Sequence, residues 1–259
     1  RAGIPGWGIA AALRQGPANF VLLVPLAFAV YVAGWWGWFT SDGGYYRHWI
    51  ETGGGTAWDG PLAWVPVSLQ NWWHYQASIL NFHAGLSTPH DYQANPLTWL
   101  FLVRPTSMYY ENLGGGTAGA ILDIANPFIW WGATAALGFL CVRVVRRLRR
   151  GRPVATDAFI LTGVAAGYLP WLLYLNRTVF QFYTIAFEPF MVLALTAALA
   201  AVAGSRSDPA GRRRTGLITV GVYLGVVVLT SVFFWPMWTG TPAPVWFLQL
   251  HYWLGRSWI

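Results

Sequence analysis

The spacing of long apolar segments constrains this chain more than any other feature. Five segments, each close to the roughly 20 residues that a helix needs to cross a hydrocarbon layer of about 30 Å, are spread through 259 residues. They are Ala18–Trp38, Ile121–Val142, Val154–Asn176, Ile185–Gly204 and Leu217–Trp235. The sequence therefore predicts an all-α integral membrane fold with about five transmembrane helices. With 56% hydrophobic and only 10% charged residues, it does not have the composition of a soluble domain.

The distribution of arginine predicts how these helices are oriented. Residues 143–152 contain six arginines and residues 206–214 contain four, so the positive-inside rule places both short loops in the cytoplasm. Twelve of the sixteen arginines then lie inside, whereas seven of the nine acidic residues lie outside. Membrane topology thus accounts for the formal net charge of +7, and we predict no nucleic-acid partner.

This orientation divides the chain into four segments. Residues 1–38 are predicted to form a cytoplasmic segment and the first helix, and residues 39–120 an extracytoplasmic connection that carries short interfacial helices. Residues 121–235 are predicted to form four further helices, and residues 236–259 an extracytoplasmic C-terminus. The predicted location is the plasma membrane, crossed several times. Because the chain begins with arginine rather than methionine, we interpret it as a piece of a longer protein, preceded by an even number of helices.

The extracytoplasmic connection is too aromatic for a disordered loop. In residues 67–86, apolar and polar side chains recur on opposite faces at helical spacing, which predicts an amphipathic helix lying in the membrane interface. A second short helix is predicted with Asn95 as its N-cap and Pro96 in its first turn, ending before Pro105.

Motifs for other chemistry are weak in this sequence. We interpret Gly53–Gly55 and Gly114–Gly116 as flexible connectors, since neither is followed by the Lys-Ser/Thr of a phosphate-binding loop. Four histidines and two aspartates of the connection lack the spacing of a zinc site, so we predict no metal and no cofactor. They are His48, His74, His83, His90, Asp42 and Asp91. No nucleophile signature and no adjacent pair of carboxylates is present, so no catalytic residue is assigned.

Arg177 differs from the other arginines because it lies at the predicted outer end of the third apolar segment. Two interpretations stay open. The first is a snorkelling side chain or an ion pair with Glu188, and the second is a guanidinium whose planar fork contacts the phosphate of a lipid-linked molecule. Glu188 is interpreted as a partner of Arg177 or as a hydrogen-bonding group, and not as a catalytic base.

Several segments resemble protein O-mannosyltransferases. Residues 87–100, STPHDYQANPLTWL, with Arg104 and Pro105, resemble that family's His-Pro-Tyr-x-Ser-x-Pro-x-x-Trp-Pro…Arg segment, although Asp91 and Leu100 replace two of its prolines. The further matches are Trp72-Trp73-His74-Tyr75, Asn81-Phe82-His83, Trp130-Trp131, the turn from Arg177 to Tyr183, and residues 249–259. The matches follow the same order over most of residues 31–259. The lack of a large β-domain inserted in the connection resembles the actinobacterial branch.

The resemblance implies a specific activity and specific roles. Such enzymes transfer mannose, with inversion, from a polyprenyl-phosphate donor to Ser/Thr hydroxyls of exported proteins, so the implied partners are the lipid-linked sugar, a protein acceptor and membrane lipid. Arg177 and Arg104 would then contact the donor phosphate. The loop residues implied on the acceptor side are His74, Tyr75, His83, Tyr92 and Tyr183.

The resemblance also implies that the catalytic centre is incomplete in this chain. The family's Asp-Glu pair, which includes the presumed general base, follows its first helix and has no counterpart here. The five apolar segments would be the last five of eleven helices, and the base would lie in an N-terminal half outside these residues.

Two other classes stay open. Another polyprenyl-phosphate sugar transferase, acting on arabinose or on a lipid acceptor, would share the helices but lack the pattern from Pro89 to Arg104. A non-enzymatic membrane subunit or half of a transporter would carry polar residues in the middle of its helices, and these segments have few.

Overall fold

A computed structural model describes residues 7–258 and divides the chain between Gly85 and Leu86 into two compact units. The helices of the first unit are α1 (Trp7–Gly34), α2 (Trp36–Thr40) and α3 (Val67–Gly85). The predicted helix at 67–86 is thus confirmed as a helix, and its place in the membrane interface stays a prediction.

The residues of α3 that are buried within the protein are polar for the most part, and side chains of its predicted apolar face are exposed. Its buried residues are Gln70, Asn71 and Trp72, whereas Trp73 and Leu80 are exposed. The amide side chains are buried because they satisfy the backbone of the preceding loop. Gln70 accepts from the N–H of Trp58 at 2.7 Å and donates to the carbonyl of Val65 at 2.8 Å, and Asn71 accepts from the N–H of Ile50 at 3.1 Å.

The second unit is built from four apolar helices, a small antiparallel sheet and a short C-terminal helix. The helices are α4 (Pro127–Arg149), α5 (Ala155–Tyr168), α6 (Glu188–Ala203), α7 (Ala210–Thr239) and α8 (Val245–Gln249). The strands are β1 (Ser107–Gly114), β2 (Thr117–Leu122) and β3 (Ala243–Pro244), in the order β1-β2-β3. Four 3-10 turns lie at Pro96–Phe101, Leu169–Leu173, Gln181–Ala186 and Gly255–Trp258.

Four helical stretches in the described part of the chain are long and apolar enough to cross a membrane. They are Leu13–Gly34, Pro127–Arg149, Ala155–Leu173 and Ala210–Thr239. The helical membrane class is therefore confirmed. The remaining predicted segment, at 185–204, becomes α6, whose 16 residues reach only about 24 Å. It is shorter than predicted because residues 181–186 form a separate 3-10 turn before it.

The sheet is the element that the sequence analysis did not predict. Strands β1 and β2 form a hairpin whose turn residues Gly115 and Gly116 have φ of 57° and 77°. Positive φ at both central residues suits a tight hairpin turn and costs glycine little. The interpretation of Gly114–Gly116 as a flexible connector is therefore wrong. Ile121 belongs to β2, and the second membrane helix begins later than predicted, at Pro127.

The start of α4 shows why it begins there. The side chain of Asn126 accepts from the N–H groups of Phe128 and Ile129, at 3.0 and 3.3 Å, which caps the helix. The same side chain donates to the carbonyl of Val227 at 3.0 Å, so the cap also attaches α4 to α7.

Candidate functional site

The 3-10 turn at residues 96–101 is the structural centre of the second unit. Asn95 caps it by accepting from the N–H of Leu97 at 3.0 Å, and Trp99 is fully buried. Side chains from several helices donate to the carbonyl oxygens of this turn and of Leu102. The donors are Tyr168 to Pro96, Trp130 and Gln181 to Trp99, Thr134 to Leu100, Trp131 to Phe101, and Trp258 to Leu102. The predicted short helix is thus confirmed as a 3-10 turn, and side-chain hydrogen bonds from the surrounding elements hold it in place.

Arg104 follows this turn and is oriented by the loop that precedes it. Its Nε and Nη2 donate to the carbonyl of Asp91, at 3.1 and 2.7 Å, and its guanidinium carbon lies 5.4 Å from the ring centroid of Tyr92. In the same loop, the N–H of Tyr92 donates to Nδ1 of His90 at 3.1 Å. Backbone and ring contacts therefore hold this arginine in a defined position, as a pre-organised anion site requires.

Arg177 packs on an aromatic cluster. Its guanidinium carbon lies 5.7 Å from the ring centroid of Trp171, and Tyr183 stacks on the same indole with centroids 4.7 Å apart. Both interpretations of Arg177, the pairing with Glu188 and the contact with a phosphate, stay predictions. The two predicted residues Arg177 and Tyr183 are thus brought together through one tryptophan.

The loops that carry the two arginines are joined by one segment, residues 86–94. The N–H of Thr178 donates to the carbonyl of Leu86 at 3.0 Å, and the N–H of Ala94 donates to the carbonyl of Val179 at 2.8 Å. Both ends of the segment are therefore attached beside Arg177, while its middle receives the hydrogen bonds of Arg104. The sequence placed these arginines in separate motifs, and the fold makes them parts of one loop cluster.

Two carboxyl groups that are far apart in sequence line one cavity of about 310 Å³. They are Asp123, which follows β2, and Glu188, the first residue of α6. The backbone N–H of Thr106 donates to Asp123 Oδ1. Burial nevertheless raises the pKa of Asp123 to about 7, against the opposing effect of backbone N–H groups at Thr106 and Phe182. Asp123 can therefore hold or release a proton near neutral pH. No spacing signal in the sequence linked it to Glu188.

A second cavity, of about 390 Å³, lies beside the sheet and includes Tyr92 of the predicted set. Tyr110 and Tyr252 line it as well, with Ser107 and Gln249 as further polar groups. Aromatic rings combined with a few hydroxyl and amide groups are the usual walls of a site for a polar organic ligand.

The other three predicted loop residues lie in the first unit. The ring of His74 stacks on Trp49, with centroids 3.5 Å apart and an interplanar angle of 4°, and its Nε2 lies 3.3 Å from Ser78 Oγ. Tyr75 and His83 line a cavity of about 280 Å³ with other tyrosines. All three residues lie on α3, where Tyr75 and His83 line one cavity and His74 packs on the aromatic loop before the helix.

Trp49 also orders the first glycine segment. A Cβ added to Gly54 or Gly55 would lie 2.4 or 2.2 Å from the indole of Trp49, so only glycine fits there. Packing against Trp49 thus explains glycine at positions 54 and 55, and the flexibility of Gly53–Gly55 stays a prediction. Among residues 7–258, no three His, Cys, Asp or Glu side chains are grouped as metal ligands would be.

The fold and its apolar helices define a multi-pass membrane protein of the helical class. The family described as the C-terminal four TMM region of protein-O-mannosyltransferase matches residues 68–258. The chain belongs to this family, which confirms the resemblance found in the sequence. The matched range contains the four apolar helices α4 to α7.

Relatives with assigned names agree with the family. The chain is 32% identical over 254 residues to the polyprenol-phosphate-mannose–protein mannosyltransferase of Mycolicibacterium smegmatis, covering 94% of this chain and 47% of that protein. The protein of the same name from Corynebacterium glutamicum is 31% identical over 247 residues, covering 91% and 46%. The chain therefore spans about half the length of the curated bacterial relatives it matches.

More distant similarity extends to yeast. Dolichyl-phosphate-mannose–protein mannosyltransferase 1 of Saccharomyces cerevisiae is 27% identical over 197 residues, covering 70% of this chain and 22% of that protein. A solved structure of the S. cerevisiae Pmt1-Pmt2 complex bound to the sugar donor superposes with a TM-score of 0.62 at 24% identity. It covers 74% of this chain and 27% of the yeast chain, and it shows a shared fold.

Proposed function

We propose that this chain is part of an inverting protein O-mannosyltransferase that moves mannose from polyprenyl-phosphate-mannose to Ser/Thr residues of exported proteins. The observation that carries the proposal is the loop cluster at residues 86–104 and 177–183, within the family's matched range, which presents two oriented arginines beside aromatic rings. The names of the bacterial relatives specify this donor and a protein acceptor for those proteins.

The two arginines are proposed to bind the donor phosphate. A guanidinium offers several N–H donors in a planar fork that matches phosphate oxygens. Arg104 is oriented by the Asp91 carbonyl and Tyr92, and Arg177 by Trp171, so little conformational entropy remains to be lost on binding. Tyr92 and Tyr183, which stacks on Trp171, are proposed to line the acceptor side.

The first unit is proposed to shape the approach of the acceptor peptide. His74, Tyr75 and His83 would contact or position the peptide from α3. His74→Ala in the full-length protein should then raise the KM for peptide with little change in the unfolding temperature. Unchanged kinetics at limiting peptide would leave His74 as a group that only supports the Trp49 stack.

The proposal includes an orientation in the plasma membrane. Residues 39–120 and 236–259 would face the outside, and the arginine loops at 143–152 and 206–214 would face the cytoplasm. A cysteine introduced at position 91 in a Cys141→Ser background should react with an impermeant maleimide in intact cells. Reaction only after permeabilisation would contradict this orientation.

The general base is proposed to lie outside residues 1–259. Asp123 is the acidic group of this chain best suited to proton transfer, because burial raises its pKa to about 7. The test is mannosyl transfer to a Ser/Thr peptide by the full-length protein, comparing Asp123→Asn with the wild type. Retained transfer, within about tenfold, fits an external base, whereas a loss of more than about a thousandfold would place the base at Asp123.

The same assay separates the alternative functions. We expect transfer from polyprenyl-phosphate-mannose to peptide, and none from an arabinose donor or to a lipid acceptor. Transfer only with those substrates would indicate the other class of sugar transferase. No transfer with any of them by a folded full-length protein would indicate a non-enzymatic membrane subunit.

A further inference from the structure

At the end of α4, five arginines line one cavity of about 220 Å³, which we call the arginine pocket. Arg143, Arg146, Arg147 and Arg150 come from the last turns of the helix and its C-cap. Arg152 is returned to the same cavity by a sharp turn, in which Gly151 has φ of 62° and the N–H of Arg152 donates to the carbonyl of Arg147 at 2.9 Å. Arg149, in the same run of sequence, does not line the pocket.

One carboxylate neutralises only part of this charge. Asp157 of α5 is buried and accepts from Arg143 Nε and Nη2 at 2.8 and 2.6 Å, and its Oδ2 lies 3.6 Å from Arg147 Nη1. Arg143 also donates to the carbonyl of Ala197 at 3.4 Å, so it belongs to the packing of the helices. Arg146, Arg150 and Arg152 therefore add positive charge to the pocket that Asp157 does not balance.

An apolar groove adjoins the arginine pocket. Phe139 lines both, and the groove of about 490 Å³ continues between α6 and α7 along small residues such as Ala198, Ala201 and Gly216. Its polar lining is Arg212, Thr215 and Thr219, and Arg212 donates to the carbonyl groups of Val202 and Ala201. Val142 also lines the pocket and is exposed. A basic pocket joined to an apolar groove, on helices of membrane-spanning length, has the shape and charge of a site for a phosphate headgroup with its acyl chain.

We propose that the arginine pocket and its groove bind an anionic phospholipid, with the phosphate among Arg146, Arg150 and Arg152 and an acyl chain along Phe139. A free inorganic phosphate would satisfy the arginines but would leave the groove unused. Because the proposed ligand is a membrane lipid and not the sugar donor, this proposal does not depend on the proposed function.

The test is binding of fluorescent phosphatidylglycerol to the detergent-solubilised full-length protein. At roughly fivefold per arginine, the variant Arg146→Gln/Arg150→Gln/Arg152→Gln should bind about a hundredfold more weakly. The matched control Arg149→Gln/Arg213→Gln/Arg214→Gln removes the same charge outside the pocket and should change binding less than about threefold. Ala201→Phe fills the groove without changing the charge and should also weaken binding.

Two comparisons make the result decisive. Phosphatidylcholine should bind at least tenfold more weakly than phosphatidylglycerol, and millimolar inorganic phosphate should not displace the lipid. Equal losses in the two triple variants would mean a general attraction of positive charge and would overturn the proposal. Displacement by inorganic phosphate, with no effect of Ala201→Phe, would assign the pocket to a soluble phosphate and would overturn it too.

Discussion

The two ends of the helices in the second unit use arginine in different ways. At the loop end, Arg104 and Arg177 are held by a backbone carbonyl and by aromatic rings, next to a turn that receives hydrogen bonds from several helices. At the other end, Arg143 forms a bidentate ion pair with buried Asp157, and its neighbours line a basic pocket. The bidentate pair with Asp157 makes Arg143 mainly a packing residue, whereas Arg104 and Arg177 are the arginines proposed to contact a ligand.

The largest expected effect concerns the turn at residues 96–101. Trp99 is fully buried, and its Nε1 donates to the carbonyl of Ala94 at 3.0 Å. Trp99→Ala should therefore destabilise the protein by about 3–5 kcal/mol. Trp246→Ala is the matched control, because that side chain is 64% exposed and should cost much less. Thermal unfolding in detergent measures both, and equal midpoints for the two variants would contradict the central role of the turn.

The ion pair at the other end should give the next largest effect. Asp157→Asn leaves Arg143 partly buried without its carboxylate and should cost about 3 kcal/mol of unfolding free energy. Asp208→Asn, in the next loop, is the control and should cost about 1 kcal/mol or less. Joint replacement of Arg143 and Asp157 by Met and Leu should recover part of the loss. A double variant as unstable as the sum of the two single changes would show that the pair is not coupled.

The carboxyl cavity provides a pH-dependent prediction. Burial raises the pKa of Asp123 from 3.8 to about 7, so between about pH 4 and pH 7 the folded chain retains a proton that the unfolded chain has lost. The stability contributed by this group is thus present at low pH and falls as pH rises through that window. Asp123→Asn removes the dependence, so its stability relative to the wild type should increase by about 3 kcal/mol from pH 4.5 to pH 8. A constant difference across that range would contradict the raised pKa.

The sequence predicted the helical framework better than the site. Hydropathy and the cap Asn95-Pro96 gave the membrane helices and the short turn, because both depend on local patterns. The hairpin was missed, since three successive glycines indicate flexibility unless the pairing of the flanking strands is known. The cavity shared by Asp123 and Glu188, the loop cluster joined by residues 86–94, and the burial of Gln70 and Asn71 depend on long-range packing that no local pattern encodes.

The most direct test of the central claim is the dependence of mannosyl transfer on donor concentration in the full-length protein carrying changes at Arg177. A charge-assisted contact is worth about 1.5–3 kcal/mol, so Arg177→Ala should weaken donor binding roughly ten- to a hundredfold, and Arg177→Lys should recover only part because the fork is lost. Arg143→Lys, at the other end of the helices, should leave the donor dependence unchanged. An unchanged donor dependence in Arg177→Ala would contradict this account of the site.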